Sequence, residues 1–290
     1  MSLLNQRVGA ELRLIAVERA SIAQRASVMN AAYADYFVPV RVSQPQLETM
    51  DRVYEVDLSL SVMARTRWEA VGMALLSLRG DQGWISAVGV VPEHRRSGIA
   101  RAMMERLIEN ARQAGAQTVT LEVISQNSVA LHLYQQLGFE TVRELLTWQR
   151  PAGADPLPVP PDPIAAADAD ELLAYFAPWH IHRPAWQRAE STLRKLRDRL
   201  TGYRLNWRGS PVSYCLVNAV DETVSILDVA ADPNSGLMMP DRSLLQAVAA
   251  LYPRRALSIS NVAADDPVSR VLAALGFLVT IRQQEMALKL

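Results

Sequence analysis

Residues 88–101 read Val-Gly-Val-Val-Pro-Glu-His-Arg-Arg-Ser-Gly-Ile-Ala-Arg and carry the strongest chemical signal in the chain. An apolar strand, Trp84 to Val91, breaks at Pro92 and passes into the basic turn Arg95-Arg96-Ser97-Gly98. A helix then begins, with Ile99, Met103, Leu107 and Ala111 recurring on one face. Such a turn gathers free backbone N–H groups and the positive end of a helix at one point, which makes a seat for phosphate. Two side chains stand out beyond it. Glu122 interrupts the strand Thr118 to Ile124, where a strand covered on both faces should be continuously apolar. Burial there would raise its pKa toward the working range of a general base. Tyr134 lies on a short helix, Val129 to Leu137, behind the cap signal Asn127-Ser128. A tyrosine hydroxyl on a helix can supply a proton without bringing a net charge.

The elements that must position these groups follow in order. Ile15, Ala16, Ile22, Ala26 and Met29 are helically spaced around a helix from Glu18 to Met29, and the aromatic run Ala32-Tyr33-Ala34-Asp35-Tyr36-Phe37 comes next. Tyr33, Tyr36 and Phe37 are read as packing that edge. A helical turn is expected over Gln46 to Met50. Val56 to Ala64 alternates as a strand, and Ala70 to Leu78 is a second one. Arg79-Gly-Asp-Gln-Gly83 is a turn of the kind that joins antiparallel strands. Gly89, inside the third strand, predicts a bulge or the close approach of a ligand. Gly115 and Gly138 end the two helices, and Phe139 to Gln149 closes as one or two strands.

Pro151 to Pro163 holds six prolines in thirteen residues, a semi-rigid linker. The expected organisation is a first domain over 10–150, this linker over 151–163 and a second domain over 164–290. The pattern recurs beyond it: Leu137-Gly138-Phe139 returns as Leu275-Gly276-Phe277, and Val91-Pro92 as Asp232-Pro233. This predicts a duplicated domain. A charged helix is expected over Pro184 to Leu200, and its Arg188, Arg194, Lys195, Arg197 and Arg199 read as a solvated face. His180 and His182, beside Trp179 and Trp186, offer no third ligand for a metal.

Bulk composition narrows the class. Of 290 residues, 50% are hydrophobic and 21% charged, which suits a globular protein of two domains. Thirty basic residues balance thirty acidic ones, so charge suggests neither nucleic acid nor an anionic membrane as partner. The single cysteine, Cys215, excludes an internal disulfide framework. No apolar run approaches 18 residues, and Met1 to Arg13 has no signal-peptide core. A cytoplasmic location is expected.

The turn Arg95-Arg96-Ser97-Gly98-Ile99-Ala100 after Val90-Val91-Pro92, followed by Asn127, Ala130, Leu133-Tyr134 and Leu137-Gly138-Phe139, resembles the GNAT superfamily of acyl-CoA N-acyltransferases. The resemblance is strong over about residues 70–142 and weak after 163. It implies an α/β (α+β) fold: two GNAT-like domains, each a mixed, mostly antiparallel sheet flanked by helices. It implies acetyl-CoA as co-substrate and no metal. Backbone groups of Val88 and Val90 would bond the pantetheine arm, and a strand N–H there would hold the oxyanion. The amides of Arg96, Ser97, Gly98, Ile99, Ala100 and Arg101 would hold the pyrophosphate, with Arg95 or Arg96 beside a phosphate. Asn127 would bond the pantetheine, Tyr134 would be the general acid, and Glu122 matches the place where some members carry a base. The resemblance also offers a second reading of Tyr33, Tyr36 and Phe37, as lining the acceptor pocket.

The second half departs from that pattern at each chemical position. Asn234-Ser-Gly-Leu-Met-Met-Pro240-Asp241 replaces the basic turn, Leu272 stands for Tyr134 and Asp265 for Asn127. The resemblance is therefore to tandem members with one degenerate, C-terminal half. The expected activity is transfer of an acetyl group from acetyl-CoA to a primary amine, in a small molecule or a peptide, by direct attack in a ternary complex. A non-catalytic CoA-binding regulatory or interaction protein is the alternative, and a homodimer is left open.

Overall fold

The structure, a computed structural model, describes residues 12–155, 157, 164–180, 182–220 and 222–290. The expected domain start at residue 10 and residues 156 and 158–163 of the proline-rich stretch lie outside the described residues. The chain forms two compact units, one of residues 1–142 with 284–290, the other of residues 143–283. The units part within two strands rather than at the prolines.

Unit 1 starts with β1 (Arg13–Ala16), which takes up Ile15 and Ala16, expected as helix. The helix itself, α1 (Ile22–Ala32), begins later because Ser21 and Gln24 form a reciprocal capping box. Ser43 and Gln46 do the same for α2 (Gln44–Tyr54), longer than the single turn expected. The strand expected over Val56 to Ala64 is only β2 (Val62–Arg65). Asp57 explains the loss: its carboxylate accepts from the N–H groups of Ser59 and Leu60, curling the chain into a turn. Then come β3 (Ala70–Arg79), β4 (Gln82–Val90), α3 (Ile99–Gln113), β5 (Thr118–Ile124), α4 (Ser128–Gln136) and β6 (Glu140–Arg150), the last a single strand.

Strands β1 to β5 lie side by side in sequence order, antiparallel except for the parallel pair β4–β5. Alternation sends side chains to two cores. Val62, Ala64, Ala74 and Leu76 meet Met103, Met104 and Leu107 of α3 on one face. Met63, Met73 and Leu75 meet Val28, Met29 and Leu47 of the first two helices on the other.

Unit 2 runs through β7 (Ile164–Ala167), α5 (Ala169–Leu173), α6 (Phe176–Trp179), α7 (Glu190–Leu196), β8 (Thr201–Trp207), β9 (Ser210–Asn218), β10 (Thr223–Ala231), α8 (Pro240–Leu251), β11 (Ala256–Ala263), α9 (Pro267–Ala274) and β12 (Leu278–Lys289). The helix expected over Pro184 to Leu200 is confined to α7, with 3-10 turns at Trp186–Arg188 and Arg197–Arg199. Here too the strands pair antiparallel except β10–β11.

The two halves match in detail. The parallel pairing of β4 with β5 ends at Ile85↔Leu121, and that of β10 with β11 at Ile226↔Ile259. Each inner strand carries a one-residue register shift just beyond, at Ser86 and at Leu227. The last residues of β12 belong to unit 1: Met286 is fully buried in its core, and the Leu290 N–H donates to the Gln117 carbonyl at 2.9 Å.

Candidate active site

The bulge at Ser86 and the end of pairing at Leu121 separate β4 from β5 and leave the outer edge of β4 without a strand partner. Val88 and Val90 share the side of β4 that points away from β3. Their polar groups are taken up by side chains of unit 1. Tyr33, the C-cap of α1, donates its hydroxyl to the Val88 carbonyl and accepts from the Val88 N–H, both at 3.1 Å. Arg95 donates its Nε to the Val90 carbonyl at 3.0 Å.

Gly89 is what lets α1 come this close. A Cβ there would lie 2.8 Å from the Ala32 Cβ and 2.9 Å from the Tyr33 ring. The close approach read from this glycine is therefore made by the chain's own helix. Gly89→Ala is expected to lower stability by about 1–3 kcal/mol through overpacking, read as a lower urea midpoint; an unchanged midpoint would mean that α1 is free to move away.

An aromatic cluster fills the space beside the parted strands. The Tyr33 and Tyr36 rings meet edge to face at 5.0 Å, and Tyr36 and Phe37 at 5.4 Å. Phe37 is half exposed at the rim. The Asn127 side chain lies beside the Tyr36 hydroxyl, where it opposes the rise in pKa that burial brings, and its oxygen caps α4 by accepting from the Ala130 N–H. Tyr134 is buried, packed tilted on Phe139 at 6.1 Å. Burial, then the neighbouring Tyr33 and Tyr36, push its pKa above the ordinary tyrosine value. Burial and Tyr36 do the same to Tyr33. The structure thus brings Tyr33, Tyr36, Asn127 and Tyr134 into one cluster at the edge of β4.

Glu122 falls on the face of β5 opposite Leu121 and Val123. Its carboxylate accepts the indole N–H of Trp84 at 2.7 Å. Tyr54, from the end of α2, packs edge to face on Trp84 at 5.6 Å, and burial with the Glu122 charge raises its pKa. Sequence reasoning missed Trp84 and Tyr54 as companions of this glutamate. Only the β4–β5 register, which sets Trp84 opposite Thr120, brings the indole to it.

The turn is left-handed at two positions and open to solvent. Arg96 has φ +59° and Gly98, the N-cap of α3, has φ +81°, a conformation open to glycine at little cost. The Ser97 hydroxyl donates to the His94 carbonyl at 2.5 Å, and Ser97, Gly98 and Arg96 are exposed. Ile99 is buried and anchors the first turn of α3, so the amides of Ile99, Ala100 and Arg101 head the helix outside its own bonding ladder. Arg101 bonds Gln136 of α4. Arg95 points back to α1 instead of outward: it bonds both oxygens of Asp35 at 2.8 and 2.6 Å and the Ala32 carbonyl at 3.1 Å.

Unit 2 fills the equivalent places differently. Helix α8 opens with Pro240, which has no N–H, and Asp241 puts a carboxylate in its first turn, where an anion would be repelled. The cap of α9 is Asp266, not the expected Asp265, because α9 is one residue shorter than α4 at its start. Leu272 is fully buried. Just past the Leu227 bulge, Asp228 is fully buried and accepts from Arg188 at 3.0 Å, His180 at 3.2 Å and the Tyr214 hydroxyl at 2.7 Å. The other His180 ring nitrogen lies 2.8 Å from the Phe176 carbonyl, so both nitrogens face acceptors, which favours the doubly protonated ring. Burial opposes the charge on His180, but Asp228 and the Phe176 carbonyl outweigh it and raise the pKa. Burial likewise opposes ionisation of Asp228, and its cationic neighbours overcome that and lower the pKa. A raised histidine pKa stabilises the fold below the unfolded value of about 6.5, and that gain fades as pH rises through the folded value. The stability lost in His180→Gln should therefore be larger at pH 6 than at pH 9 in urea titrations; a pH-independent loss would mean a neutral imidazole.

Among the described residues, no three His, Cys, Asp or Glu side chains gather as metal ligands, and no helix is long and apolar enough to cross a membrane. Residues 26–139 match the model of the acetyltransferase (GNAT) family. Over 96% of the chain, the fold matches a GCN5-related N-acetyltransferase from Sphaerobacter thermophilus, with TM-score 0.73, 20% identity and 95% of that chain covered. A tandem GNAT protein from the clavulanic acid biosynthesis pathway matches over 96% of this chain and 98% of its own, with TM-score 0.71 and 17% identity. An acetyltransferase from Pyrococcus horikoshii, itself described as putative, matches over 97% and 90%, with TM-score 0.58 and 17% identity. The fold is thus that of a tandem GNAT protein, and residues 26–139 are those that match the acetyltransferase (GNAT) family model.

Proposed function

We infer that the protein transfers an acetyl group from acetyl-CoA to a primary amine, in unit 1 alone, by direct attack in a ternary complex. One observation carries the reading: the unpartnered edge of β4, Asn127, Tyr134 and the open amide turn of α3 belong to one half, while the other half sets Pro240 and Asp241 at its turn and Leu272 in place of the tyrosine. The amides of residues 96–101 would take the pyrophosphate, and the edge at Val88 and Val90 the pantetheine arm. Glu122, oriented by Trp84, would accept the proton of the incoming amine, directly or through water. A lysine-like amine, with pKa about 10.4, costs roughly 4.6 kcal/mol to deprotonate at pH 7, and an α-amine only about 1–1.4 kcal/mol. As the C–N bond forms and the C–S bond breaks, Tyr134 would give its proton to the departing thiolate. Its raised pKa keeps that proton in place until the sulfur demands it.

Thiol release from acetyl-CoA, measured over a panel of small amines and peptide N-termini, tests the reading. Amine-dependent release is expected. CoA binding without release for any amine would leave a CoA-binding regulatory module. No binding of CoA would overturn the acyl-CoA reading altogether.

A further inference from the structure

The edge of β4 that would receive the pantetheine arm is already bonded. A single hydroxyl, that of Tyr33, serves both the N–H and the carbonyl of Val88, as an added strand or an amide-bearing ligand would. The absent Cβ of Gly89 makes room for the ring, which lies 2.9 Å from where that atom would be. A second contact holds the same segment. Arg95, part of the phosphate turn, bonds the Ala32 carbonyl just before Tyr33 and the Asp35 carboxylate just after it. The Arg95 and Asp35 side chains are 40% and 55% exposed, so an anion arriving at the turn can reach the guanidinium. A phosphate there competes with Asp35 for the same donors.

We propose that Tyr33 is a built-in competitor for the amide-bearing arm of acyl-CoA, latched onto β4 by the Arg95–Asp35 pair, and that the CoA phosphates release the latch. The inference rests on the acyl-CoA reading above. In it, the turn and the strand edge are one device: phosphate capture at Arg95 frees the end of α1, Tyr33 leaves Val88, and the arm takes the vacated groups. The measured affinity is then the intrinsic affinity reduced by the fraction of molecules with the edge open.

Calorimetric titration of CoA into the full-length protein tests this with two variants. Tyr33→Phe keeps the ring and removes both hydrogen bonds to Val88, so the CoA Kd is expected to fall by about tenfold. Asp35→Asn, at an exposed position, weakens only the latch and should lower the Kd by about two- to fivefold. Hydrogen exchange of the peptide spanning residues 85–91 should speed up in Tyr33→Phe without any ligand. Equal or weaker CoA binding by both variants, with wild-type binding intact, overturns the inference and leaves the acyl-CoA reading standing. Failure of all three proteins to bind CoA removes that reading and the inference together. Should Tyr33→Phe not fold, Asp35→Asn decides.

Discussion

Tyr134→Phe is expected to lower turnover with acetyl-CoA by at least about tenfold, and toward a hundredfold if proton delivery limits the rate. On the proposed reading the CoA Kd should stay within about twofold, since the lost hydroxyl would serve the departing sulfur and not hold the pyrophosphate. Because the Tyr134 pKa lies above the ordinary tyrosine value, the hydroxyl is protonated throughout pH 6–9 and the defect should be flat across that range. The substitution suits the question. Phenylalanine refills the packing against Phe139, so a tyrosine that serves only as core would leave turnover unchanged. That result would remove Tyr134 from the chemistry.

Asp228→Asn is expected to destabilise unit 2 by about 3–5 kcal/mol, because it leaves the buried Arg188 and the doubly protonated His180 without their counter-charge. Against a typical domain stability of about 5–15 kcal/mol, a loss of that size is close to unfolding. Tryptophan fluorescence in urea reads it directly, since Trp179 stacks on Tyr214 at 5.7 Å and Tyr214 bonds Asp228. A loss below about 1 kcal/mol would show that water reaches the cluster and screens it.

Local rules carried much of the site. The four-residue stripe of α3, the glycine at its N-cap and the asparagine cap of α4 are each set by neighbours within a few residues, and each stands where the sequence put it. The duplication was legible from Leu-Gly-Phe and the prolines, and the matching bulges at Ser86 and Leu227 carry it into the backbone. What failed depended on partners far along the chain or on competing local bonds. Asp57 cut an alternating strand short through two hydrogen bonds that a hydropathy pattern does not register. The sequence offers His180 no partner, because the carboxylate it serves lies 48 residues away. Gly89 points to a bulge or to the close approach of a ligand, but the bulge falls at Ser86 and what comes close is Tyr33, 56 residues earlier. Trp84 gave no sign of holding Glu122, because strand register is invisible until the strands are paired.

The placement of residues 284–290 in unit 1 bears on how the chain is made. N-terminal domains generally fold first as synthesis proceeds. Here the half with Asn127 and Tyr134 is nearly all synthesised by Val142, yet Met286, fully buried in its core, and the Leu290 bond to Gln117 come last. Unit 1 must wait, with Met286 missing from its core, while some 140 residues of the other half are translated. If the proposed acyl transfer is seated in unit 1, activity should appear only after unit 2 and residues 284–290 have been made.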